Sequence, residues 1–557
     1  RDLRMSRGLG DVYKRQVTDK TSFKSGVRQM TYSEETYKPS GGMSVGSFGQ
    51  SEPQRLSLFI NGRRFIGFGG NWGFGESNLN YREREYDIAV AYHADMNFTM
   101  IRNWVGQIGD KEFYEACDRH GIMVWQDFWL ANPVDGPNPY YTEMFNANAC
   151  DYLKRIRNHP SIGIYVGRNE GNPPAGIDDY LRGLVFREHP GLYYISNSAM
   201  GVVSGGGPYR ALSPKSYFQS YGHDKFHSER GMPNVMNYES MLLTFGTDKI
   251  EPVNTSETPN PVYGLHDYTL GGGKGSSAQA ASSFNDMIEK AFGRPRDAKQ
   301  FAEWAQWINY DGYRAIFEGR SEHRRGMLLW MSHSAWPSMV WQTYDYYFDP
   351  NAAYFGCKKA SEPLHIQWNP LRDDIEVVNY HAFDRTGLTA TASLFNQDGT
   401  LQWTRETKLD IKEDQTVACF PLEQPETLSD TYFIKLSLTD SDGKQLSDNF
   451  YWRGKEDGNY KSLLQLPKVS VCKNVTVKKT GKEWLIRAVL KNEARTPALM
   501  LRLKVAGEKS GRMLLPVFYS DNYFSLLPGE VKEVDIRLYD ADTYGEKPVL
   551  EVLGFNL

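Results

Sequence analysis

Ile162-Gly163-Ile164-Tyr165-Val166-Gly167-Arg168-Asn169-Glu170 is a short apolar run that closes on an amide and an acid. A run of this length bounded by turn-forming residues reads as a buried strand. Gly171-Asn172-Pro173-Pro174 behind it must leave regular structure. A carboxylate at the carboxyl end of a strand is where a β/α barrel places its chemistry. Lys225-Phe226-His227-Ser228-Glu229 repeats the arrangement, with a short strand at Lys225–Ser228 delivering a second acid. Two such carboxylates on different strands are the parts needed to cleave a glycosidic bond with retained stereochemistry.

Strands and helices alternate around this stretch. Leu58 to Ile66 reads as a hairpin about an Asn61-Gly62 turn. Phe65–Trp72, Phe98–Trp104, Ile122–Trp129 and Ile162–Glu170 are predicted strands, with a fifth at Leu192–Ser196. Ile88, Tyr92 and Met96 recur at helical spacing between the first two, and Phe113 and Cys117 share a helix face that ends at Gly121. This cadence predicts parallel βαβ units closing into a (β/α)8 TIM barrel over residues 56–363. No sixth strand is legible in 197–224. Residues 246–282 read as a surface loop and 284–320 as one long helical stretch, with Gly326 to Met331 as the closing strand.

Beyond Leu364 the period becomes two. Leu388, Ala390, Ala392 and Leu394 alternate before Asp398-Gly399, as do Ile434, Leu436 and Leu438 before Asp442-Gly443. Leu499, Leu501, Leu503 and Val505, then Val534, Ile536 and Leu538 after Pro528-Gly529, repeat the pattern. The expectation is a multidomain chain: the barrel, then two Ig-like β-sandwich domains over 364–460 and 461–557. Residues 1–16 are basic and aperiodic and read as translated adapter sequence. Residues 17–55 read as the remnant of a further Ig-like β-sandwich plus a linker, with a strand near Ser25–Tyr32, so the natural protein is expected to begin further upstream.

Composition narrows the class. A net charge of -4 gives no electrostatic reason to expect nucleic acid or an acidic membrane as partner. No apolar run approaches a membrane span. The five cysteines are too scattered for a disulfide framework or a zinc site, and read as small buried hydrophobes. No carboxylate cluster demands a metal, and no cofactor is expected. With 13 Trp, 34 Tyr and 28 Phe the chain is rich in rings on which apolar sugar faces stack.

The two acids take different roles. The acid/base must be protonated at working pH, and the nucleophile ionised beside donors. Glu170 is assigned as acid/base and Glu229 as nucleophile. Glu239, Glu251 and Glu303 are rivals, but none ends an apolar strand. Other predicted strand ends converge on the same face: Arg102-Asn103-Trp104, Asp127, Trp330 and Trp336. With Asn169 they form the expected substrate-binding set. In it Arg102 holds the nucleophile's charge, Asp127 bonds sugar hydroxyls, and Trp330 is the floor beneath the ring.

Phe65–Trp72, Ile101-Arg102-Asn103-Trp104, Val124 through Trp129, Arg157 through Ile162 with Asn169-Glu170, and Trp330 through Pro337 together resemble glycoside hydrolase family 2. The resemblance implies an acid/base at Glu170, after the fourth barrel strand, and a nucleophile at Glu229, after the seventh. Tyr344 through Tyr347, Ala353 through Gly356 and Glu362 through His365 are similar to the exo-β-D-glucosaminidase and mannosylglycoprotein endo-β-mannosidase branch. Exo-glucosaminidases of that branch carry Ser-Asp where this chain has Asn169-Glu170. Trp125 through Phe128 also looks more mannosidase-like, so a β-mannosidase-type specificity is favoured over glucosaminide or galactoside. A glycan is the implied substrate, in a periplasmic or secreted setting. The reading from another class is an inactive carbohydrate-binding barrel.

Overall fold

The computed structural model describes residues 24–36, 54–219, 224–270 and 281–557. The reading of residues 1–16 falls outside them. Met30–Thr36 (β1), Gln54–Ile60 (β2) and Arg63–Phe65 (β3) form an antiparallel sheet. Asn61 and Gly62, at φ of 51° and 77°, make the predicted turn between β2 and β3. Met30, Leu56 and Leu58 are buried together with Met100, Met123, Trp125 and Phe226 from the barrel interior. The sheet therefore closes the amino-terminal end of the barrel. The described part of 17–55 thus packs as a floor against the barrel, where its apolar side chains are buried. Its strand begins at Met30, later than Ser25.

Eight parallel strands follow: Phe68–Trp72 (β4), Met100–Asn103 (β5), Met123–Asp127 (β6), Ile162–Arg168 (β7), Tyr194–Asn197 (β8), Val203–Ser204 (β9), Phe226–Arg230 (β10) and Met327–Leu329 (β11). Each except β9 pairs with its predecessor in the chain, and β11 pairs with β4; no ladder joins β8 to β9 among the described residues. This is the strand order of a β/α barrel. The sixth strand has two residues, too few for any period to show.

The helices are Glu83–Asp95 (α1), Lys111–His120 (α2), Thr142–Ile156 (α3), Ala175–Glu188 (α4), Pro214–Gln219 (α5), Tyr238–Phe245 (α6), Pro261–Gly264 (α7), Ala281–Phe292 (α8), Ala298–Glu318 (α9) and Ala352–Ala360 (α10). The single helix expected over 284–320 is two. Gly293 at φ 94° and Pro295 break it, and Asp297 restarts it by accepting from the Gln300 amide at 2.8 Å. Nor is 246–282 simply a surface loop, since Ile250, Val253, Tyr263 and Tyr268 are buried in the main core.

Two antiparallel sheets of three and four strands lie between Leu364 and Gly454, and two of four and three between Val471 and Leu553. The alternating residues predicted for both sandwiches are buried, and Gly399, Gly443 and Gly529 occupy the positive-φ turn positions. The first sandwich meets the barrel through Asp311 of α9, whose carboxylate accepts from Arg453 at 3.0 Å and from Arg314 at 2.7 Å. The second meets it at Tyr92 of α1, whose hydroxyl donates to the Val517 carbonyl and accepts from the Val517 amide.

Candidate active site

Alternation along β5 and β6 decides which side chains reach the barrel interior. Met100 and Arg102 point inward, as do Met123, Trp125 and Asp127, while Ile101 and Val124 pack outward under the helices. Arg102 is fully buried. Its Nη1 donates to Glu229 Oε1 at 2.7 Å, and its Nη2 to Asn169 Oδ1 and Asp127 Oδ2, each at 2.7 Å. One guanidinium thus joins three strand ends.

Asp127 is also engaged by the Trp125 indole N–H at 2.9 Å and by the Val105 amide at 3.0 Å. Its oxygens are consumed inside the protein, so it orients Arg102 and does not bond sugar hydroxyls as expected. Asn103 is likewise corrected. It faces the helices, donates to the Ile108 carbonyl at 2.9 Å and lies 3.2 Å from both the Tyr114 hydroxyl and Gln126 Oε1. Adjacent residues of a strand point to opposite faces, and with Arg102 inward Asn103 cannot enter the pocket.

Glu229 lies within β10, not after it, and is 3% exposed. The register of β10 against β11 shifts between His227 and Arg230. A bulge of this kind re-aims a side chain, and here it frees Glu229 from simple alternation. Tyr209 supplies the second donor, its hydroxyl 2.7 Å from Glu229 Oε2. Sequence reasoning missed Tyr209, which follows Gly205-Gly206-Gly207-Pro208 in the stretch without periodicity. A ring after a glycine-rich turn was the available signal.

Glu170 follows β7 at φ 46°, a left-handed conformation unusual outside glycine. The Ser198 hydroxyl accepts its amide at 3.0 Å. Among the described residues its carboxyl receives a single 3.4 Å contact, from Asn132 Nδ2. Burial is the main cause raising its pKa, with Asp135 pushing the same way against Arg102. Burial also pushes Glu229 up to about 7, against Arg102 and with the Glu170 charge adding to the rise. The Glu170 charge thus acts on Glu229 in the same direction as burial.

Trp104 packs edge-on to Trp330 at 5.0 Å, Trp330 meets Trp341 at 6.1 Å, and Trp341 meets Tyr209 at 6.3 Å. These rings form a wall beside Glu229, which Tyr209 contacts; Trp341 was not anticipated. Trp336 stands apart, stacked on His266 and 36% exposed. The rivals are spent elsewhere: Glu239 on Arg502 and Lys504, Glu251 on the Ala298 amide, while Glu303 pairs with Lys299 in solvent. Cys117 and Cys357 are buried as expected, but Cys472 is exposed. Among the described residues no group of three or more His, Cys, Asp or Glu could hold a metal ion, and no helix is long and apolar enough to cross a membrane.

Residues 449–557 match the family model described as the exo-β-D-glucosaminidase Ig-fold domain. The mannosylglycoprotein endo-β-mannosidase of Lilium longiflorum is 27% identical over 89% of this chain and 63% of its own length. An exo-β-D-glucosaminidase of Streptomyces avermitilis is 28% identical over 89% and 60%. The chain thus spans less than two thirds of these relatives. Among solved structures, the exo-chitosanase CsxA of Amycolatopsis orientalis superposes with a TM-score of 0.84 at 24% identity, covering 96% of this chain and 66% of that one. A barrel with paired acids at its mouth, followed by Ig-like sandwiches, is the build of a multidomain glycoside hydrolase. The chain is thus similar over most of its length to relatives named exo-β-D-glucosaminidase and mannosylglycoprotein endo-β-mannosidase, and over its terminal sandwich to the exo-β-D-glucosaminidase Ig-fold model.

Proposed function

We propose that this protein is a retaining β-glycosidase in which Glu229 is the nucleophile and Glu170 the acid/base. The unequal donation to the two carboxyls carries the assignment. Glu229 accepts from a guanidinium and a phenol at 2.7 Å each, and both donors favour its ionised form against the burial that raises it. Glu170 has one long amide contact among the described residues and favours the proton. When the glycosidic bond breaks, a Glu229 oxygen bonds the anomeric carbon and the Glu170 proton passes to the leaving oxygen. Water, deprotonated by Glu170, then displaces Glu229 from the anomeric carbon.

A sugar with a hydroxyl beside Asn169, a β-mannoside in our reading, is favoured over a 2-ammonium sugar. Asn169 Oδ1 is occupied by Arg102, so the amide turns its N–H donors the other way. A hydroxyl accepts from such a donor, whereas an ammonium only donates. The names of several relatives and of the matched terminal-domain model support β-glucosaminide as the second reading.

The test is hydrolysis of aryl β-mannoside, β-glucosaminide, β-galactoside and β-glucuronide, beside Glu170→Gln and Glu229→Gln. Turnover of the mannoside is expected, abolished in Glu229→Gln and reduced about 10²–10⁴-fold in Glu170→Gln. Turnover that survives Glu229→Gln overturns the assignment. Saccharide binding without turnover of any substrate identifies an inactive barrel.

A further inference from the structure

Asn71 of β4 touches no reacting atom, yet its side chain holds the peptide that delivers Glu229. Trp72 packs outward on His93 of α1, with ring centroids 5.2 Å apart, so its neighbour Asn71 points into the barrel, where it is fully buried. β4 pairs with β11, and β11 with β10. Asn71 Nδ2 donates to the Leu329 carbonyl of β11 at 2.8 Å and, across that strand, to the Ser228 carbonyl of β10 at 2.9 Å. Each acceptor lies one residue before a residue of the site. The Ser228 carbonyl shares its peptide plane with the Glu229 nitrogen, and the Leu329 carbonyl shares its plane with the nitrogen of Trp330. One amide group thus fixes the planes that set Glu229 and Trp330.

It does so where the ladder gives way. His227 pairs with Met327 and Arg230 with Leu329, so Ser228 and Glu229 together oppose Leu328. A bulge disrupts the ladder and leaves its extra residue unpaired, so backbone groups there need partners from elsewhere. Asn71 supplies one. Just beyond the bulge the strands are pressed together, since a Cβ on Gly231 would lie 2.0 Å from the Trp330 carbonyl oxygen. The two carbonyls also settle which way the amide points, because a turned amide would set Oδ1 against both. As placed, Oδ1 is buried and has no partner among the described residues. A buried acceptor left so is destabilising, so the two donations are held against a cost in stability.

We propose that Asn71 is a positioning residue for the nucleophile, holding the bulge that brings the Glu229 carboxylate onto Arg102 and Tyr209. The inference rests on Glu229 being the nucleophile. A reacting group about 1 Å out of place costs on the order of 10²-fold in rate. The experiment follows inactivation by the 5-fluoro glycosyl fluoride of whichever sugar the wild type turns over. A Glu229 oxygen bonds the anomeric carbon as the C–F bond breaks, and fluoride leaves without a proton from the acid, so the attack itself is read. In Asn71→Ala the saturating rate constant is expected to fall about ten- to a hundredfold, with little change in the half-saturating concentration. Burial raises the Glu229 pKa, Arg102 and Tyr209 lower it, and Glu170 raises it. Retreat from Arg102 and Tyr209 raises it further, so the acidic limb of inactivation should move to higher pH. Asn71→Ser keeps one donor and should fall between the wild type and Asn71→Ala; it takes the place of Asn71→Ala if that variant yields no folded protein. A merely structural Asn71 would lower the melting temperature and leave the rate constant and the limb unmoved, and that result overturns the proposal. If the wild type turns over nothing, the catalytic reading fails instead. Crystal structures of the wild type and Asn71→Ala then decide the positioning: Glu229 keeping both contacts overturns it, and Glu229 drawn away from them supports it.

Discussion

At the scale of single residues, hydrogen-bond count separates the two acids. Tyr209→Phe removes one of the two short donors to Glu229. A hydrogen bond to a charged group is worth about 1.5–3 kcal/mol, so kcat is expected to fall about ten- to a hundredfold, with an unchanged circular dichroism spectrum. Charge coupling gives a second expectation. Glu170 adds to the rise of Glu229, so Glu170→Gln should move the acidic limb of kcat/KM to lower pH. A substrate with a strongly acidic leaving group, which needs no protonation, makes that limb measurable; an unmoved limb would mean the carboxyls do not interact. Asp345 offers a stability test away from the site. Burial and then Asp349 raise it well above the usual carboxylate range, and its Oδ2 is buried without a partner. Its folded form holds a proton that the unfolded chain releases at lower pH. That stabilisation is present in acid and is lost as pH rises through the folded-state value. Unfolding free energy should therefore fall between about pH 5 and pH 8, and less steeply in Asp345→Asn.

At the scale of elements, backbone proximity fixes what the barrel strands tolerate. A Cβ on Gly69 of β4 would lie 1.6 Å from the Met100 carbonyl oxygen of β5. That oxygen belongs to the ladder and cannot swing aside. Gly69→Ala is expected to yield little folded protein, whereas Gly109→Ala, with open space around it, should express normally. The α8–α9 break illustrates what local sequence states and what is easily overread. Apolar spacing runs through 284–320, but Gly293, Pro295 and the Asp297 cap were legible and outweigh it. Asp297→Ala should cost about 1 kcal/mol in chemical denaturation. The bulge in β10 had no such signal, because it is a relation between two strands far apart in the chain.

At the scale of the whole molecule, the sandwiches are joined to the barrel by buried charge. Asp311 holds Arg314 within α9 and Arg453 of the first sandwich. Asp311→Asn removes the carboxylate that Arg453 pairs with in a desolvated place, while Arg314 keeps Glu318 nearby, at a cost of about 3–5 kcal/mol. A single unfolding transition that moves to lower urea is expected; a sandwich that unfolds separately would show the contact to be peripheral. The strand–helix cadence, the switch to period two after Leu364 and the acid at the end of β7 could be read from the chain alone, because each is a pattern among near neighbours. So could the convergence of Arg102 and the two glutamates, once a barrel was inferred, since its strands end on one face. The structure alone decided that Asp127 serves Arg102 and that Asn103 faces the helices. It likewise decided that Tyr209 reaches Glu229 and that β1 and β2 floor the barrel. Those are contacts between segments far apart in sequence, set by register and packing, and no local pattern encodes them.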